Sequence, residues 1–150
     1  MLYVDTSVLV SLCTHEASTA DVLRWYAACT EELASAAWCV TEFASALALK
    51  QRTGQLTAPQ AKTAWMQFER VCANDLQLLP VESTTFHKAA ILTMDASTGL
   101  RAGDALHLAC ALAAKVQGLV TLDAVLAKNA KRVKLKTVGI CVAAPHTRFF

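Results

Sequence analysis

The chain predicts an α/β fold with a parallel sheet, and three observations carry that prediction. Short apolar runs of strand length alternate with longer segments of helical spacing, the connections between them are short, and several of the short runs end at a lone acidic residue. A strict alternation of this kind covers both faces of a sheet with helices. The 150 residues are 55% hydrophobic and 17% charged, enough for a compact unit burying roughly 68–70% of its unfolded surface. No repeat, low-complexity tract or Pro/Gly/Ser-rich linker divides the chain, so 1–150 reads as a single domain.

The elements follow in order. Leu2–Val4 is a short strand, and Thr6 onward, with Val8, Leu9, Val10 and Leu12, a short apolar helix or turn. Ser18 or Thr19 caps a helix carrying Val22, Leu23, Trp25 and Tyr26, with Asp21 as an acidic capping-box variant. Leu33–Ala37 is a weak strand; the next helix bears Glu42 near its start and stops at Gly54. Thr57, Pro59 and Gln60 form a helix entrance, and Ala61, Ala64, Trp65, Phe68, Val71 and Cys72 then recur at three and four residues along one face. Leu76–Val81 is a strand broken by Pro80, and Ser83 opens a helix ended by Gly99. Ala102–Val116 is a strongly apolar helix closed by Gly118. Leu119–Leu122 is a strand, Ala124–Ala130 a helix, and Lys136–Val142 a last strand.

Charge and cysteine usage exclude several classes. A net charge of +2 is too mild to announce nucleic acid by itself, although Lys128, Lys131, Arg132, Lys134 and Lys136 crowd one stretch and Lys50 and Arg52 end another. A solvated face accounts for these bases more simply than a phosphate track. Cys13, Cys29, Cys39, Cys72, Cys110 and Cys141 are widely spread with no C-x-x-C pair, which fits reduced thiols in a cytoplasmic protein. The N-terminus lacks the basic start of a signal peptide, and no segment reaches the roughly 18 apolar residues of a membrane helix.

Asp5, Glu42, Asp104 and Asp123 stand at the edges of apolar runs, where a carboxylate is costly unless a cation or hydrogen bonds compensate it. In an open parallel sheet, sites form beyond the carboxyl ends of the strands, and Asp5 and Asp123 directly follow predicted strands. Glu42 and Asp104 fall in the opening turns of helices. Each has a plain alternative: Asp5 as a helix cap, Asp104 as a helix-dipole charge, Glu42 as a surface residue. As a set they predict a carboxylate cluster for a divalent cation, and Mg²⁺ fits because it prefers oxygen ligands and keeps waters.

These residues resemble the PIN-domain ribonucleases, and most closely the VapC-like toxins of type II toxin–antitoxin systems. The likeness rests on Tyr3-Val4-Asp5-Thr6-Ser7, on Thr41-Glu42 within an apolar helix, on the stretch from Leu100 to Ala109 around Asp104, and on Leu119-Val120-Thr121-Leu122-Asp123. It implies a three-layer α/β/α fold with four or five parallel strands, Mg²⁺ or Mn²⁺ as cofactor, and single-stranded RNA hydrolysis by metal-activated water. It further implies Asp5 and Asp104 as direct ligands, with Glu42 and Asp123 binding metal through water or placing the attacking water. Thr6, Ser7 and Thr121 would orient those carboxylates. A cognate antitoxin and a homodimer are the partners it implies. Arg101 and His107 are candidates for substrate binding, although His107 is more simply a hydrogen-bonded residue at the core edge and Arg101 equally a brace for carboxylates. The positions after Asp123 and the tail from Ala144 to Phe150 depart from the family pattern. A haloacid-dehalogenase-like phosphohydrolase is a rival reading, weakened by Ser7 where a second aspartate is wanted. A catalytically inactive RNA- or partner-binding PIN domain is another.

Overall fold

A computed structural model describes residues 1–140. Strand β1 (Leu2–Val4) leads into helices α1 (Thr6–Cys13) and α2 (Thr19–Ala28), and β2 (Leu33–Ala36) into α3 (Trp38–Arg52) and α4 (Ala58–Asn74). Strand β3 (Leu76–Leu79) is followed by α5 (Ser83–Met94) and α6 (Ala102–Ala113), and β4 (Gly118–Val120) by α7 (Ala124–Arg132) and β5 (Thr137–Val138). All five strands pair in parallel, in the order β3-β2-β1-β4-β5. The chain winds outward from β1 in one direction and then returns to place β4 on its other side. The switch point therefore lies between β1 and β4, where such sheets leave a crevice at their carboxyl ends.

Side-chain alternation along β1 divides the core into two. Leu2 and Val4 point into a cluster built by α1, α2, α3 and α4, with Val8, Leu9, Val22, Phe43, Leu47, Ala64 and Phe68. Tyr3 points to the opposite face, among Ala89, Leu106, Ala109, Leu126 and Ala130 from α5, α6 and α7. This is the expected three-layer arrangement, with a five-stranded sheet. Phe43 and Phe68 stack at 4.1 Å and 10° across α3 and α4, with Trp65 tilted against both, so the aromatic residues of α4 serve the core. Among the described residues no helix is long and apolar enough to cross a membrane. Cys13, Cys29, Cys39, Cys72 and Cys110 are all free, three of them buried; Cys141 and the tail from Ala144 to Phe150 lie outside the described residues.

Several boundaries differ from the sequence expectation for local reasons. Ser18 is the cap residue of α2 but makes no capping bond; its hydroxyl meets Ser11 Oγ at 2.7 Å, while Thr19 Oγ1 accepts the Glu16 N–H, so no capping box forms. Helix α5 ends at Met94, where Asp95 caps a separate 3₁₀ turn over Ala96–Thr98, and it is that turn which Gly99 closes at φ 69°. Helix α6 stops at Ala113 because Lys115 takes the left-handed conformation, φ 52°, and the Val116 N–H folds back to Ala111 O at 3.4 Å. Gly118 opens β4 instead of closing α6: a Cβ there would stand 3.1 Å from Val138 Cγ2 and 3.3 Å from Leu2 Cδ2, on neighbouring strands. The last strand is confined to Thr137–Val138 within the described residues.

The Thr57 entrance to α4 forms as its residues predict, with Thr57 Oγ1 accepting the Gln60 N–H and Gln60 Oε1 accepting the Thr57 N–H. Replacing Thr57 by Ala removes half of this reciprocal cap. We expect a loss of about 1 kcal/mol in urea denaturation and a fall in melting temperature of roughly 2–4 °C.

Candidate functional site

Asp5 follows β1 directly and caps α1, so the backbone itself aims its carboxylate at the switch point. It is 3% exposed. Oδ1 accepts hydrogen bonds from Ser7 Oγ at 2.6 Å and the Val8 N–H at 3.3 Å, and Oδ2 accepts one from Thr121 Oγ1 at 2.5 Å. Burial raises the Asp5 pKa despite these donors, which pull in the opposite direction. Ser7 and Thr121 also accept, from the Leu122 N–H at 3.1 Å and the Asp123 N–H at 3.0 Å. The two hydroxyls thus tie the end of β1 to the loop after β4.

Asp123 caps α7, its Oδ1 taking the Leu126 N–H at 2.8 Å. Asp104 sits in the first turn of α6. Its pKa is raised, first by burial and then by Asp123 and Asp5, with Glu42 adding to the same effect and His107 opposing it. Asp104 therefore feels the other three carboxylates, each from a separate segment. Glu42, in the second turn of α3, is shifted in the opposite direction. Burial would raise it, but the His107 hydrogen bond and charge, with Thr6 and Trp38, bring it below the ordinary carboxylate range. Thr6 Oγ1 donates to Glu42 Oε1 at 2.7 Å, and His107 Nε2 binds the same oxygen. A groove of 520 Å³ opens here, lined by Thr6, Ser7, Glu42, Leu122 and Asp123 and, farther along, by Lys50, which is paired with Glu16 at 2.9 Å.

All seven acidic and hydroxyl residues singled out in the sequence thus fall around one end of the sheet. The two residues considered for substrate differ. Arg101 is exposed at the cap position of α6. His107 is 2% exposed, with Nδ1 meeting Tyr3 Oη at 2.7 Å and Nε2 meeting Glu42, so neither ring nitrogen is open to a ligand. The bases from Lys128 to Lys136 are exposed around the C-terminal end of α7, away from the cap at Asp123, where they complement the helix dipole.

Nothing in the spacing flags two further participants. Tyr3 reads as one apolar residue of a strand, and Gly103 as a poor residue for a helix. A Cβ at Gly103 would lie 2.7 Å from Glu42 Oε2 and 3.5 Å from Trp38 Nε1. Only glycine lets α6 come this close to Glu42.

The donor set is all oxygen and suits a hard divalent cation. Yet among the described residues no three Asp, Glu, His or Cys side chains are arranged to hold an ion. Asp5, Glu42 and Asp123 each spend oxygens on protein donors. The arrangement fits an ion held by one or two carboxylates and completed by water, the usual manner for Mg²⁺.

Residues 2–132 match the PIN domain, and the chain belongs to that family. No curated protein matches it. Solved structures with the same fold include the Mycobacterium tuberculosis VapC20 toxin, described as sarcin–ricin loop cleaving, with 15% identity and TM-score 0.69 over 86% of this chain and 95% of that one. FitAcB from Neisseria gonorrhoeae shares 18% identity at TM-score 0.69 over 93% and 97%. VapBC2 from Rickettsia felis, bound to a promoter DNA fragment, shares 17% at TM-score 0.61 over 92% and 98%.

The raised Asp104 pKa has a stability consequence with a definite sign. A carboxyl whose folded pKa exceeds its unfolded value of 3.8 carries no penalty below that value; the penalty grows as pH rises through the folded pKa and is complete above it. In chelator at pH 7, Asp104→Asn is expected to raise the urea midpoint of denaturation, by a small amount because solvent screens this half-exposed group. The gain should vanish as the denaturation series is carried below pH 4.

Proposed function

We propose that this protein is a Mg²⁺- or Mn²⁺-dependent endoribonuclease and the toxin of a toxin–antitoxin pair. The observation that carries the reading is the electrostatic influence of Asp5, Glu42 and Asp123 on Asp104 at the switch point of a PIN fold. Carboxylates gathered in a partly buried crevice repel one another, and a cation relieves that repulsion. Asp104, whose pKa is raised by burial and by its acidic neighbours and which has no hydrogen-bonded partner among the described residues, is the first candidate for a direct ligand. The remaining lone pair of Asp5 Oδ2, beside the bond from Thr121, is the second. A divalent ion bound there supplies Lewis acidity toward a phosphodiester and lowers the pKa of bound water. Glu42, held ionised, accepts a proton or orients a water at the groove mouth, and Asp123 does the same from the α7 cap. Thr6, Ser7 and Thr121 fix the carboxylates through the hydrogen bonds described above.

RNA as substrate rests on the family likeness and on the groove beside the acids. The neighbouring toxins crystallised with their partners support an antitoxin that covers this groove, and the exposed Arg101 is suited to a phosphate. A homodimer is part of the same reading. The phosphohydrolase alternative falls with the family match: Ser7 Oγ spends its hydrogen on Asp5. An inactive RNA- or partner-binding domain is separated from the enzyme by experiment alone.

Cleavage of total RNA in Mg²⁺ is expected from the purified chain and should stop in excess chelator. Asp104→Asn and Asp5→Asn should each lower the rate by about 10²–10³-fold, the range for deleting one preorganised electrostatic group. Both should keep the fold by circular dichroism, since Asn at position 5 still caps α1. Undiminished cleavage by Asp5→Asn would remove that residue from the reaction. Absence of any Mg²⁺-dependent cleavage would favour the inactive domain.

A further inference from the structure

We propose that Tyr3 and His107 form a buried positioning relay that holds Glu42 through Oε1, leaving Oε2 as the working oxygen of that carboxylate. The argument begins with hydrogen-bond accounting. Tyr3 Oη accepts the Ala36 N–H at 3.0 Å, so the phenol is fixed by β2, and in this relay its own hydrogen is given to His107 Nδ1 at 2.7 Å. A nitrogen that accepts carries no proton. In the neutral ring the hydrogen must then reside on Nε2, the nitrogen bonded to Glu42 Oε1. The polarity of the relay is thereby set from the sheet outward: Ala36 N–H to Tyr3, Tyr3 to His107, His107 to Glu42.

Oε1 also accepts the Thr6 hydroxyl at 2.7 Å, which gives that oxygen two protein donors. Oε2 has a different environment. It lies where a Cβ on Gly103 would be 2.7 Å away, beside the Trp38 indole, whose buried Nε1 makes no hydrogen bond of ordinary geometry among the described residues yet helps to keep Glu42 ionised. One oxygen is pinned by two donors and the other is given room by the absence of a side chain at position 103. His107, Tyr3 and Gly103 touch neither substrate nor ion in this account; they act through Glu42. Their effect on catalysis rests on the ribonuclease reading, whereas the tautomer and the restraint on Glu42 do not.

The tautomer is read directly from long-range ¹H–¹⁵N spectra of the full-length protein. His107 Nδ1 should resonate as an unprotonated nitrogen and Nε2 as a protonated one, and Tyr3→Phe should abolish that fixed preference. A proton on Nδ1 in the wild type overturns the relay. Function is tested with His107→Gln, which keeps a donor near the Nε2 position, against His107→Leu, which does not. Manganese titration calorimetry and RNA cleavage should both place His107→Gln within about 3-fold of wild type. His107→Leu should lose 10–100-fold in Mn²⁺ affinity or kcat at unchanged KM.

Gly103→Ala probes the other oxygen. It suits an α-helix better than glycine, so the protein should melt no lower than wild type, yet the displaced Oε2 should weaken kcat or Mn²⁺ binding at least 10-fold. Equal effects of Gln and Leu at 107, or an unperturbed Gly103→Ala protein, overturn the proposal. If the wild type cleaves no RNA, the ribonuclease reading falls, while the nitrogen spectra and the calorimetry still decide the relay.

Discussion

The burial of Asp5 is the constraint around which the upper end of this molecule is organised. An ionisable group at 3% exposure needs donors from several directions, and here they come from segments far apart in the chain. Val8 contributes through the first turn of α1, Ser7 through its hydroxyl, and Thr121 from beyond β4. Because Ser7 and Thr121 also accept N–H groups from Leu122 and Asp123, the same atoms that satisfy the carboxylate define the path of the loop into α7. The placement of Asp123 is therefore a consequence of the placement of Asp5. A sheet that switched direction elsewhere would separate the two.

A second polar chain runs down the other side of β1. Alternation sends Leu2 and Val4 into one apolar layer and Tyr3 into the other, where its hydroxyl would be an uncompensated cost without Ala36 and His107. The strand thus supports two of the four carboxylates by different means: Asp5 at its end, and Glu42 through a phenol and an imidazole. Glu42 is also shifted toward its ionised form, in contrast to Asp5 and Asp104, whose burial favours the protonated one.

Much of this was legible in the residues themselves. The order of strands and helices, the Thr57 entrance and the shared placement of Asp5 and Asp123 follow from periodicity, cap chemistry and the geometry of parallel sheets, whereas joining Glu42 and Asp104 to them rested on the family resemblance. What escaped was decided by contacts that spacing does not encode. Gly118 resembles a helix stop, but its small size answers to Leu2 and Val138 on adjacent strands. Lys115 closes α6 in a conformation normally assigned to glycine, so the end of that helix had no local marker. His107 drew notice as a polar residue in an apolar run, but its partner Tyr3 stands 104 positions away in the sequence.

Asp5 and Asp123 are helix caps as well as members of the acidic set, whereas Glu42 and Asp104 begin no helix. Selection for folding alone would retain a short polar side chain at positions 5 and 123 even in a descendant that had lost all chemistry. Glu42 is retained by its bonds to Thr6 and His107 as well, which leaves Asp104 alone, among the described residues, without such a structural tie. In comparing relatives of this chain, then, acidity at 104 is the sensitive gauge of whether the proposed chemistry survives, and acidity at 5 and 123 the poorer one.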